Sequence, residues 1–157
     1  IMHSTILVLS EDTDFETDVD TLCNDANISK VVDYIGEERP VEGELDLIKK
    51  SYCDILNVGK DEKGFFLELK SEETRLKFVF DKFEEIEDLV KEGLARVEKG
   101  EIPDSIFIKI SEKLPLEQVH PLVYCSEGQG MTFEYFLTSV MDTCKKYYIT
   151  QAFDYRF

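Results

Sequence analysis

With only two histidines, and four cysteines in no C-x-x-C spacing, the 157-residue chain lacks the ligand clusters of a zinc site and the paired thiols of a disulfide scaffold. Tryptophan is absent, and four prolines and eight glycines are too few for a collagen-like or proline-rich chain. The longest apolar run near the start, Ile6-Leu7-Val8-Leu9, is too short for a signal-peptide core or a membrane span. The expectation is a cytoplasmic protein that engages no membrane. Bases are scarce as well: 18 Lys and Arg face 34 Asp and Glu, so a net charge of −16 opposes any direct grip on nucleic-acid phosphates. What is plentiful is apolar residues, at 43% enough to build a core.

Periodicity predicts an α+β fold, a single domain over residues 1–157 with a mixed, mostly antiparallel sheet of about six strands and about four helices. Ser4–Leu9 reads as a strand. A helix follows, with Phe15, Val19, Leu22, Cys23 and Ala26 on its apolar face and Thr13 and Glu16 as a capping box. Val31–Ile35 reads as a second strand, and Leu45, Ile48, Tyr52, Ile55 and Leu56 mark a second helix closed by Gly59. Phe65–Leu69 and Leu76–Phe80 alternate apolar and polar, which predicts a hairpin turning at Ser71-Glu72-Glu73-Thr74. A long helix with Asp81 as N-cap would place Phe83, Ile86, Val90, Leu94 and Val97 inward and end at Gly100. Ile106, Ile108 and Ile110 predict a strand, as does Leu122–Cys125. Phe133, Phe136, Leu137, Val140, Met141 and Cys144 predict the last helix. Tyr147, Ile149, Phe153, Tyr155 and Phe157 predict one face of a long final strand, interrupted by Gln151, with an unpaired aromatic edge as a second candidate surface. On these faces Cys23, Cys53 and Cys144 should be buried, leaving Cys125 the most reactive thiol.

The charge is uneven. Residues 131–157 hold three acids and three bases, so the entire net charge of −16 belongs to residues 1–130. Between Asp81 and Lys99 acids precede bases and Glu87-Lys91 and Glu92-Arg96 are favourable pairs, so helix stability accounts for that charge. Glu11, Asp12, Asp14, Glu16, Asp18 and Asp20, with Asp25, meet no base before Lys30. Asp14-Asp18 and Glu16-Asp20 would repel at four-residue helical spacing. Glu37 and Glu38 open a second acidic stretch.

Three motifs could carry chemistry. Carboxylates behind a strand suit hard divalent cations. Ser10-Glu11-Asp12-Thr13-Asp14-Phe15 resembles the S-x-D-x-D-F segment of PIN-like nucleases, and the resemblance implies Asp12 and Asp14 as Mg²⁺ or Mn²⁺ ligands of a metal-dependent phosphodiesterase. It covers Ile6–Phe15 only, and the strand bearing the family's other Asp would have to precede Ile1. Read as an EF-hand the same stretch puts Thr17 at the glycine position and Cys23 at the bidentate glutamate. Gly128-Gln129-Gly130 could turn amides toward an anion, but without a nearby base; an ordinary turn before a helix capped by Thr132 fits better. Cys125 with His120 is the one Cys-His pair close in sequence.

None of these is a complete catalytic set, and none implies a cofactor. The expectation is a non-catalytic acidic protein that covers a basic surface of a partner such as a nuclease, as inhibitors, immunity proteins and nucleic-acid mimics do. Glu11, Asp12, Asp14, Glu16, Asp18, Asp20, Glu37 and Glu38 are the candidate contacts.

Overall fold

In a computed structural model describing residues 3–113 and 121–157, the chain is an α+β fold built on one mixed, mostly antiparallel sheet. The strands are β1 (His3–Ser10), β2 (Tyr34–Arg39), β3 (Leu56–Asp61), β4 (Gly64–Leu69), β5 (Leu122–Cys125), β6 (Gln129–Thr132) and β7 (Lys146–Arg156). Their order is β3-β4-β7-β1-β5-β6, with β2 beside β4 along the same edge of β7. The helices are α1 (Val19–Asn24), α2 (Glu42–Tyr52), α3 (Glu72–Glu98), α4 (Asp104–Lys113) and α5 (Phe133–Tyr135), the last continuing as a π-helical turn over Phe136–Val140. No helix among the described residues is long and apolar enough to cross a membrane.

β1 lies between β7, antiparallel, and β5, parallel. Both faces of the sheet are covered there, which is why its run Ile6-Leu7-Val8-Leu9 is wholly apolar and at most 1% exposed. On one face Leu7, Leu9, Leu67 and Ile149 pack under Leu45 and Ile48 of α2 and Phe133 and Phe136. On the other, Ile6, Val8, Tyr124 and Tyr155 pack under Leu22 of α1 and Ile28. β7 therefore runs through the middle of the sheet, and its aromatics Tyr148, Phe153 and Tyr155 are buried, with Tyr147 half-buried, rather than offered at an edge.

Its side chains also divide between the faces. Val8 pairs with Gln151 but Leu9 with Ile149, so Thr150 is an extra residue in the ladder. Tyr147 and Ile149 join the first layer, and beyond the bulge Phe153, Tyr155 and Phe157 join the second. The expected single aromatic face is thus two faces, exchanged at one bulge.

Elsewhere helix and strand periods competed, and tertiary pairing decided. The hairpin is β3-β4, with Leu56 opposite Leu69 and Asp61 opposite Gly64. α2 accordingly stops at Tyr52, and Leu56 and Gly59 belong to a strand. Leu76–Phe80 is not a strand: Ser71 and Thr74 form a capping box, with Ser71 Oγ accepting the Thr74 N–H at 3.1 Å, and α3 runs on from there, making Asp81 mid-helical. Phe83, Val90, Leu94 and Val97 face outward; of the residues expected inward only Ile86 is half-buried. The pairs Glu87–Lys91 and Glu92–Arg96 do form, at 2.6 and 2.9 Å. Residues 106–110 are helical, with Ile106 and Ile110 one turn apart against α3. β2 begins at Tyr34 rather than Val31, β6 is an additional strand, and the last helical segment ends before Cys144. With those helices shortened, Cys23, Cys53 and Cys144 are exposed and Cys125 is buried, the reverse of the expected order.

Candidate partner interface

The chain between β1 and α1 is not the helix that Phe15, Val19 and Leu22 predict. Ser10 Oγ accepts the Asp12 N–H at 2.9 Å, and Asp12 Oδ1 accepts the Asp14 N–H at 2.9 Å. A turn closes from Phe15 N–H to the Asp12 carbonyl at 3.3 Å. Short side chains that bond their own backbone compete with a helix in this way. Helix begins only after Asp18, whose carboxylate caps α1 by accepting the Thr21 N–H at 2.8 Å. Hydrogen bonding from Thr21 holds the Asp18 carboxyl below its ordinary pKa. Thr13 and Glu16 form no capping box, and the like-charge helical pairs Asp14-Asp18 and Glu16-Asp20 do not arise, because residues 11–18 are not helical.

What arises instead is alternation. Glu11, Asp12, Asp14, Glu16, Asp18 and Asp20 are all exposed, while Thr13, Phe15, Thr17 and Val19 between them are half-buried, and Phe15 and Val19 pack on the second apolar layer. The ledge is tied down at its middle. Gln151, 6% exposed, accepts the Thr17 N–H through Oε1 at 2.7 Å, and its Nε2 donates to Glu38 Oε2 at 3.3 Å. One buried amide therefore connects the two acidic stretches; Glu38 and its exposed neighbour Glu37 sit on β2 beside the ledge. Lys145 Nζ lies 3.4 Å from Glu11 Oε2 at the start of the ledge.

Beside the ledge lies a shallow cleft of about 550 Å³, walled by Phe15, Glu16, Thr17, Asp18 and Thr21 on one side and Tyr124, Ser126, Glu127 and Gly128 on the other. Glu127, not among the contacts expected from the sequence, adds a carboxylate from the β5-β6 turn. Its signal was available: an acid in the hairpin following β5 must lie at the same sheet end as the residues following the parallel strand β1.

The other motifs resolve structurally. Gly128, at φ +81°, makes the β5-β6 turn, and a Cβ on Gly130 would stand 2.6 Å from Asp25 Oδ1 and from Ile28. The Gly130 N–H donates to Asp25 Oδ2 at 3.0 Å, so the chain's own carboxylate occupies that amide of the G-x-G turn. Thr132 caps α5 by accepting the Tyr135 N–H. Cys125 is buried and its thiol is pushed up to about 12 by burial and by Glu127, which keeps it protonated and a poor nucleophile. His120 lies outside the described residues. Among the described residues no three Asp, Glu, His or Cys side chains converge as a metal cluster, and the Asp12 carboxylate is engaged with the Asp14 amide. Comparison with known proteins completes the picture: no family model, no curated protein and no solved structure matches the chain.

Proposed function

We propose that this is a non-catalytic, cytoplasmic acidic protein that occludes a basic surface of a partner protein through the ledge from Glu11 to Asp20, with Glu37, Glu38 and Glu127 beside it. The observation that carries the reading is the alternation of exposed carboxylates with half-buried anchors, fixed at Thr17 by the buried amide of Gln151. A merely solubilising acidic segment needs no such anchoring; a docking surface gains from it, because carboxylates held in place lose little freedom on binding. The cleft along the ledge is open and lined by carboxylates together with Phe15 and Tyr124, which suits Lys and Arg side chains with apolar stems. Nucleases and other nucleic-acid-processing enzymes present such side chains where phosphates bind, so an inhibitor, immunity or anti-defence protein of nucleic-acid-mimic type is the class that fits. Four free cysteines accord with a reducing compartment.

The test is affinity capture from the source cells with the native chain and with an Asp14→Lys, Glu16→Lys, Asp20→Lys variant as baits. A basic protein retained stoichiometrically by the first, released by salt and lost with the second is the expected result. A partner held equally by both baits and indifferent to salt would remove the acidic ledge as the interface.

A further inference from the structure

The outer face of α3 is apolar and uncovered. Leu76, Phe80, Phe83, Val90, Leu94 and Val97 are 43–66% exposed, a patch of a kind that monomeric proteins rarely leave in water. With Glu87 these positions follow at steps of four, three, four, three, four and three residues, the 3.5-residue repeat of a coiled-coil seam. A second row of α3, Val79, Ile86, Leu89 and Gly93, is half-buried or buried, Gly93 lies against Ile106 of α4, and Phe78 packs on the first apolar layer. α4 returns antiparallel along α3: Lys113 bonds Glu85 at 2.8 Å and Ile106 abuts Gly93. In right-handed helices the residues that follow Gly93 and Ile106, Leu94 and Phe107, turn to the same side of this pair, and Phe107 is 65% exposed. The opposite side is a charged groove lined by Glu85, Asp88, Glu92, Lys109 and Lys113. The helical pair thus has one charged flank and one apolar flank with nothing over it among the described residues.

We infer that α3 pairs, antiparallel, with α3 of a second copy of this chain. Charge selects both partner and direction. The residues following the Leu76, Phe83, Val90 and Val97 row are Lys77, Glu84, Lys91 and Glu98, alternating in sign. Antiparallel self-pairing sets Lys77 against Glu98 and Glu84 against Lys91 of the second copy, each contact occurring twice by symmetry. The same register layers Phe80 on Val97, Phe83 on Leu94 and Glu87 on Val90, large side chains against small. A parallel pair would instead stack Glu87 on Glu87 in its core. The dimer does not depend on the acidic ledge, and it would display two ledges at once.

Sedimentation equilibrium of the full chain between about 1 and 100 µM decides this, at low and high salt. A reversible dimer is expected, and it should tighten with salt, because each copy carries −16 and screening relieves their long-range repulsion. Leu94→Glu, on an exposed position, should abolish association with helix content by circular dichroism unchanged. Glu84→Lys alone should weaken the dimer about tenfold, and Glu84→Lys with Lys91→Glu should restore it. A chain that stays monomeric throughout, or a dimer indifferent to Leu94→Glu, overturns the inference. So does failure of the double charge exchange to restore what Glu84→Lys removes.

Discussion

The side-chain carbonyl of Gln151 accepts the backbone N–H of Thr17 at 2.7 Å across 134 residues of sequence, holding the acidic ledge against the central strand. Gln151 reaches Thr17 only because the bulge at Thr150 turns it onto the face where the ledge packs. Gln151→Leu leaves the Thr17 N–H without its partner and frees Glu38, so it should destabilise the fold by about 1–3 kcal/mol. Urea unfolding measures the loss, and hydrogen exchange should show the Thr17 amide losing protection first.

Cysteine reactivity should follow the observed burial. Cys125, buried and with its thiol raised to about 12, should be the slowest of the four, while Cys23, Cys53 and Cys144 label readily in the native state. Timed alkylation read by peptide mass spectrometry gives the order directly. Fast labelling of Cys125 would mean that β5 opens far more often than its place beside β1 allows.

On the edge strand β3, across the sheet from β5, Asp61 accepts the Tyr148 hydroxyl at 2.8 Å and lies 3.3 Å from the Lys146 ammonium. The Tyr148 hydrogen bond, foremost, lowers its carboxyl from the ordinary 3.8 to about 2. A depressed folded-state pKa means that the ionised group stabilises the fold. That contribution is complete above pH 3.8 and is lost as pH falls toward 2. Tyr148→Phe should raise the Asp61 pKa in a carbon-detected NMR titration and flatten the acid limb of stability between those values.

How far the sequence revealed this arrangement varied with the number of structural periods each segment fits. β1 and β5 carry short apolar runs and β7 a long series of spaced aromatic and aliphatic residues, and all three are strands where expected. Leu76–Phe80 and Ile106–Ile110 satisfy both the two-residue and the helical period, and there a capping box at Ser71 and contact between α3 and α4 settled the matter. Leu56 and Gly59 read as the end of a helix because nothing local announces that β4 pairs with them; a Cβ on Gly59 would meet the Phe66 ring at 2.8 Å. The ledge was legible in the sequence as a run of acids, and those carboxylates are exposed. Its shape was not, although the alternation from Asp12 to Asp20 was there to be seen, because Phe15, Val19 and Leu22 also fit one helical face. Glu127 and Gln151 come beside the ledge only through pairings between strands distant in sequence.

The backbone roles within the ledge divide its carboxylates into two kinds, and that division supplies a sharper test of the proposed interface than charge removal alone. Asp18 caps α1, so Asp18→Ala should lower stability and Asp18→Asn should lower it much less. Asp14 and Glu16 are exposed outside any helix and Asp20 is exposed in the first turn of α1, so reversing all three to Lys should change the melting temperature little, relief of like-charge crowding offsetting the lost dipole interaction of Asp20. The same reversal should slow association with a basic partner by at least tenfold at low salt, with little change in the dissociation rate, because exposed charges act mainly through long-range attraction. Raising the salt should erase the difference between native and variant on-rates as the screening length falls below about 8 Å. Glu85→Lys serves as the control: it breaks the bond to Lys113, loosens α4 on α3, and should leave association untouched. On-rates measured by surface plasmon resonance across a salt series separate the two effects. Slowing by Glu85→Lys in proportion to its charge change, about a third of the ledge variant's in the logarithm of the rate, would show that net charge alone, and not this surface, draws the partner in.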